Sequence, residues 1–95
     1  MARNSLRRYY NVGESRVIEW EIRPNNENDT IVISEARYEI YKGETLIKEG
    51  SMTSVDNKRV WFLFEATEKG EFVIKGFVTV APEIISTELI AHVEG

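Results

Sequence analysis

The chain has 95 residues, a formal net charge of −4, no cysteine and a single histidine. This length predicts one domain, and the absence of cysteine excludes disulfides, zinc–thiolate sites and a thiol nucleophile. The acidic balance disfavours nucleic acid as a partner, because phosphate contacts need clustered lysine and arginine side chains.

Neither a membrane segment nor a targeting leader is evident in the sequence. Purely apolar runs extend for only a few residues, whereas a membrane-spanning helix needs about 20. The first residues lack the charged-then-apolar pattern of a secretory signal. We therefore expect no secretory leader, no membrane partner and a cytoplasmic location.

Residues 1–11 form a basic N-terminal arm ahead of a body, 12–95, that we expect to be a single β-sandwich domain. The charged side chains of the arm are Arg3, Arg7 and Arg8. They contribute +3, so the body sums to −7. The arm has no clear period, and chain termini are often disordered. It is therefore expected to be either disordered or an edge strand, with Arg7, Arg8, Tyr9 and Tyr10 as candidate contacts to a partner.

The body begins with alternating apolar and polar residues, the pattern of a half-buried strand. A first strand is predicted over residues 16–23, with Ile18, Trp20 and Ile22 on one face. It is followed by a polar loop at residues 25–29. A second apolar run opens at residues 31–33, and its phase then slips, which predicts a bulge or a short strand and a corner.

The later segments continue the same pattern. Residues 42–45 predict a hairpin turn between a strand resuming at Ala36 and a strand over 46–52. Residues 59–65 are apolar on both faces, which predicts a central or corner strand. The last two predicted strands, 71–81 and from 84 or 85 to 93, alternate clearly. The inward residues of the longer one are Phe72, Ile74, Gly76, Val78 and Val80.

About seven strands separated by turn signals, without helical spacing, predict an all-β, antiparallel immunoglobulin-like sandwich. A small β-barrel is the alternative fold. Trp61 and Phe77 lie opposite the regular apolar stripes of their strands. They are expected either to face outward as contact residues or to be buried in a corner strand.

No set of residues predicts catalysis or cofactor binding. The single histidine, His92, has only strand neighbours such as Glu94 as nearby partners, and a metal or acid–base site needs several convergent groups. The loop at 25–29 offers too few carboxylates for calcium. We therefore expect no metal, no cofactor and no enzymatic activity.

Several motifs carry a resemblance to a known group of proteins. They are Arg16, Ile18, Trp20 and Ile22 in an R-x-I-x-W-x-I strand, residues 36–40 (ARYEI), the turn at Gly43, residues 70–72 (GEF) and residues 91–93 (AHV). In this order, over about residues 12–94, the chain resembles small immunoglobulin-like β-sandwich proteins of tailed phages and prophages. The resemblance implies a structural protein encoded among head, neck, tail or baseplate genes and located in the cytoplasm or the virion.

Two functions remain open from the sequence. The first is a non-enzymatic assembly or protein-interaction module that contacts copies of itself or neighbouring virion proteins through sheet faces, an edge strand and the arm. The alternative is a free-standing module that binds carbohydrate or peptide through Trp61, Phe77 and loop residues.

Overall fold

Eight β-strands account for most of residues 6–23 and 30–95, which are the parts of the chain that the computed structural model describes. In chain order they are β1 (Leu6–Asn11), β2 (Ser15–Glu21), β3 (Glu35–Lys42), β4 (Thr45–Ser51), β5 (Thr53–Val55), β6 (Arg59–Glu65), β7 (Gly70–Val80) and β8 (Glu83–Glu94). No helix occurs within these ranges. The predicted all-β class is confirmed, while the polar loop at 25–29 lies outside the described residues.

The strands form two sheets that pack face to face. The five-stranded sheet has the order β1-β8-β7-β3-β4, and the three-stranded sheet has the order β2-β6-β5. Neighbouring strands are antiparallel except β1 and β8, which run parallel from Leu6 opposite Leu89 to Asn11 opposite Glu94. Both sheets end in edge strands, so neither closes on itself and the alternative of a small closed barrel is wrong.

The distribution of the strands over the two sheets is that of an immunoglobulin-like sandwich. Naming β1 to β8 in chain order as A, B, C, C′, D, E, F and G gives the sheets A-G-F-C-C′ and B-E-D. The predicted sandwich is thus confirmed, with eight strands in the described ranges where about seven were expected. The extra strand arises at the buried Met52, where the predicted strand 46–52 passes from β4 in one sheet to β5 in the other.

The core lies between the sheets and is built from the inward residues of each strand. Its buried residues are Tyr10, Ile18, Ile22, Ala36, Tyr38, Ile40, Met52, Val60, Phe62, Phe64, Ala66, Phe72, Ile74, Val78, Leu89, Ala91 and Val93. Phe62 lies at its centre, with the Tyr38 ring stacked at a centroid distance of 3.8 Å and the Trp20 ring at 6.4 Å. The faces predicted to be apolar in β2 and β7 are those that point into the core.

Gly76 interrupts the apolar stripe of β7 for a reason of space. A Cβ at this position would lie 2.8 Å from Cζ3 of Trp20, which is tighter than side-chain packing allows. The missing side chain lets the half-buried Trp20 ring of the opposite sheet approach the β7 backbone. Gly76 is therefore the complement of the tryptophan in β2.

The segment before β3 departs from the predicted strand. Residues 31–33 have irregular backbone, and β3 begins only at Glu35. Ile31 and Ile33 nevertheless pack against the core. The segment is held by individual bonds: the Ile33 N–H donates to Asn57 Oδ1 at 3.0 Å, and the Ser34 N–H donates to the Thr79 carbonyl at 2.9 Å. Ile31 and Ile33 are thus partly buried without strand pairing, while Val32 is exposed.

Candidate functional site

The C-terminal half of the basic arm forms an outer edge of the five-stranded sheet. Residues 6–11 are β1, which pairs with β8 on one side and with no described strand on the other. The edge strand is one of the two states expected of the arm, whose first five residues lie outside the described ranges. The edge position matters because the free side of a strand presents unpaired backbone groups to a partner.

Backbone hydrogen bonds show which groups of β1 point away from β8. The Val12 N–H donates to the Glu94 carbonyl at 2.7 Å, so the residues at even positions in β1 direct their N–H and C=O groups toward β8. The backbone groups at odd positions therefore face the free side. Those of Arg7 and Tyr9 form the open edge.

The turn after β1 occupies Asn11, which leaves two residues on this edge within the described part of β1. The Asn11 N–H donates to Glu14 Oε1 at 2.6 Å, and the Glu14 N–H donates to the Asn11 carbonyl at 3.0 Å. Both backbone groups of Asn11 are thus occupied by Glu14. The hydrogen bond from Asn11 is also the main reason why the pKa of Glu14 lies below its usual value.

A second open edge faces the same region from the three-stranded sheet. The Ile22 N–H donates to the Lys58 carbonyl at 2.7 Å, so the even-numbered residues of β2 bond toward β6. The backbone groups of Val17 and Glu19 consequently point away from the sheet. Between the two edges lies a groove of about 550 Å³, lined by Leu6, Arg7, Arg8, Tyr9, Tyr10, Arg16, Val17, Ile18, Glu19 and Leu89.

Tyr10 closes the inner end of this groove. It is the one buried residue of β1, and its ring lies 5.1 Å from the Phe64 ring across the sandwich. Burial raises the pKa of the Tyr10 hydroxyl, and the positive charges of Arg8 and Arg16 oppose that rise. Both guanidinium groups therefore act on the same hydroxyl, one from each sheet.

The groove carries an excess of positive charge in an acidic chain. Its lining contains Arg7, Arg8, Arg16 and Glu19, and of these Arg8 and Arg16 lie at the inward positions of their strands. Two of these arginines have ion-pair partners at 3.2 Å: Arg7 binds Glu71, and Arg16 binds Glu14. Arg8 has no carboxylate partner among the described residues. All four candidate contact residues of the arm line this groove, but only Arg8 and Tyr10 point inward, since the side chains of Arg7 and Tyr9 lie on the outer face against Glu71 and His92. Arg16 and Val17 were not identified from the sequence as part of the groove.

Trp61 and Phe77 do not belong to this groove or to a common patch. Trp61 lies half-buried on the outer face of β6, in register with Glu19 and Thr53. Phe77 lies half-buried on the outer face of β7, in the other sheet, and the Arg37 guanidinium carbon covers its ring at 4.4 Å. The structure therefore separates these two aromatic residues by the thickness of the sandwich.

Phe77 is part of a side-chain network on the outer face of the five-stranded sheet. Arg37 covers its ring and pairs with Glu39, which accepts a hydrogen bond of 2.7 Å from the Tyr41 hydroxyl. The Lys75 ammonium lies 5.1 Å from the Tyr41 ring. These contacts, two within β3 and two between β3 and β7, pair the polar and aromatic side chains of the face with one another. This surface therefore offers a partner little free aromatic area.

This side-chain network makes a testable contribution to stability in acid. The hydrogen bond from Tyr41, followed by that from Arg37, holds the pKa of Glu39 below its usual 4.5. A lowered carboxyl pKa stabilises the fold above the unfolded value, and this contribution disappears as the pH falls through the folded value. When the pH is lowered below 4.5, the free energy of unfolding of Glu39→Gln is therefore expected to fall less than that of the unaltered chain.

Urea unfolding midpoints measured across the acid range test this expectation. Glu88→Gln, an exposed substitution on the neighbouring β8, is the control and should follow the unaltered chain. If the urea midpoints of Glu39→Gln and of the unaltered chain change with pH in parallel, the side-chain network makes no pH-dependent contribution to stability.

His92 lies on the outer face of β8 beside two carboxylates. Its Nε2 is 3.2 Å from Glu94 and its Nδ1 is 3.9 Å from Glu71, and the Tyr9 ring meets it edge-on. Within 6–23 and 30–95, no group of three His, Asp or Glu side chains is arranged to hold a metal ion. The same ranges contain no helix long and apolar enough to cross a membrane.

Comparison with known proteins gives no relative for this chain. No family model, no curated protein and no solved structure matches it. The features that bear on function are therefore those of the molecule itself, above all two open strand edges beside a positively charged groove.

Proposed function

We propose that this chain is a non-enzymatic protein-interaction module that joins an assembly by accepting an extended segment of another protein at β1. The observation that carries this proposal is the open edge, where the backbone groups of Arg7 and Tyr9 face a groove. An added strand gains main-chain hydrogen bonds from such an edge and specificity from its alternate side chains.

The resemblance of residues 12–94 to phage and prophage sandwich proteins supports a virion as the setting of this assembly. In that setting the extended segment belongs to a neighbouring virion protein. Carbohydrate recognition is less well supported, because Trp61 and Phe77 face opposite sides of the sandwich and Arg37 already covers the Phe77 ring. A sugar-binding platform needs aromatic faces that are open and adjacent.

The substitution Tyr9→Pro tests the open edge directly. Tyr9 is 71% exposed, and its N–H points away from β8, so proline removes one open-edge donor and no ladder bond. Peptides of about ten residues, the upper end of the usual range of strand lengths, are selected on the full chain from a displayed library. Tyr9→Pro is expected to bind the selected peptides about tenfold more weakly or worse.

Tyr9→Val is the matched control, since it removes the ring and keeps the N–H. It should bind the peptides like the unaltered chain. Amide exchange of β8 in both variants verifies that β1 remains paired. Equal binding by Tyr9→Pro would show that the β1 edge does not accept a strand.

A further inference from the structure

Arg8 occupies a position that would ordinarily hold a core side chain. It lies on the inward face of β1, in register with the fully buried Ala91 of β8. The three-stranded sheet covers Tyr10, two residues along this face, but it does not reach Arg8, which stays exposed. A guanidinium group therefore faces the groove where a closed sandwich would place an apolar side chain.

Arg16 mirrors this placement from the opposite sheet. It lies on the same face of β2 as the buried Ile18 and in register with the buried Phe64. Its side chain is 60% exposed and lines the groove. The only carboxylate bound to it among the described residues is Glu14, at 3.2 Å in the adjoining turn. Two inward arginines, one from each sheet, thus flank one opening.

Strand geometry determines which side chains of an added segment reach these arginines. Successive side chains of a strand alternate between its two faces, so every second one enters the groove. An inward side chain placed between Arg8 and Arg16 meets two cations, and charge complementarity requires it to be anionic. Leu6, which is 49% exposed and lies two residues from Arg8 on the same face, offers an apolar contact beside it.

We infer that the segment accepted at β1 is an acidic strand, in which an inward Asp or Glu pairs with Arg8 and Arg16. An apolar side chain two positions along this strand covers Leu6. This inference rests on the proposed function, because it names the chemistry of the strand that the open edge accepts. The same two cations would attract a phosphate backbone, but a nucleic acid has no strand with which to use the open edge groups.

The test compares a peptide selected on the full chain with its counterpart in which the inward acid is replaced by the matching amide. The acidic peptide is expected to bind about tenfold more tightly or better, as a charge-assisted hydrogen bond implies. Arg8→Gln and Arg16→Gln should each abolish most of this difference. Arg59→Gln, at the opposite end of the three-stranded sheet, is the matched control and should retain it.

The outcomes separate this inference from the proposed function. In one outcome, the peptides bind the unaltered chain and Tyr9→Val but not Tyr9→Pro, and they show no preference for an acid. This result would overturn the inference and would still support strand addition. Failure to select peptides, or equal binding by Tyr9→Pro, would overturn both. Binding of a single-stranded oligonucleotide at Arg8 and Arg16 in place of acidic peptides would likewise overturn the inference.

Discussion

Phe62→Ala is expected to lower the free energy of unfolding by about 3–5 kcal/mol, the usual range for truncation of a buried aromatic residue. Phe62 is 4% exposed, its ring stacks on Tyr38 at 3.8 Å, and it lies within aromatic contact of Trp20. The loss has two parts: the apolar surface of the ring is no longer buried, and a cavity remains between two sheets that cannot collapse to fill it. For a domain with about 5–15 kcal/mol of total stability, this is a large fraction.

Leu63→Ala on the same strand is the matched control for this prediction. Leu63 is 48% exposed on the outer face of β6, so its truncation leaves no cavity and should change stability by about 0.5 kcal/mol. Chemical unfolding of both variants measures the contrast. Similar losses at Phe62 and Leu63 would contradict the inward and outward faces assigned to β6.

Tyr10→Ala is expected to lower the free energy of unfolding by about 2–3 kcal/mol, the value of one large buried apolar side chain, and to release β1 from the sandwich. Tyr10 is the one buried side chain of β1 and packs on Phe64 at 5.1 Å. The remaining attachment of β1 is its ladder to β8. Amide exchange should therefore accelerate at Arg8 and Tyr10, whose N–H groups point toward β8.

Two neighbouring substitutions isolate the role of the buried ring. Tyr10→Phe keeps the ring and removes only the hydroxyl, so exchange in β1 should remain slow. Tyr9→Ala removes an exposed ring from the same strand and should change stability by about 0.5 kcal/mol or less. Unchanged exchange in Tyr10→Ala would show that the ladder alone holds β1.

The attachment of β1 links stability to the proposed function. A strand that is buried through one side chain and paired on one side keeps its outer backbone groups available. An added strand would cover Leu6 and Arg8 and would extend the five-stranded sheet by one ladder. We therefore expect the acidic partner strand to slow amide exchange in β1 as well as to bind it.

The strand faces of the core could be predicted because their pattern is local. In β2 and β7 the regular apolar stripe leaves one inward phase, and a shift of one residue would expose every core side chain. The hairpin turn predicted at residues 42–45 is equally local: it joins β3 to β4, and Gly43 adopts the positive φ angle that a tight turn requires. For these elements the tertiary structure adds partners and leaves the local structure as predicted.

The fate of the arm could not be predicted, because it depends on residues distant in the chain. Tyr9 and Tyr10 are identical and adjacent, yet one is 71% exposed and the other is 8% exposed. The parallel register with β8 decides between them, and nothing within residues 6–11 encodes that register. The irregular segment 31–33 shows the same limit, since Ile31 and Ile33 pack against the core without strand pairing.

The sequence by itself determined the all-β class, the apolar faces of β2 and β7 and the basic character of the arm, because periodicity and charge are properties of the chain. Only the tertiary structure decided that Arg8 and Arg16 face one groove from different sheets and that Trp61 and Phe77 lie on opposite faces. Strand pairing between distant segments brings the first pair together and separates the second. The site therefore depends on sheet order, which local sequence patterns do not specify.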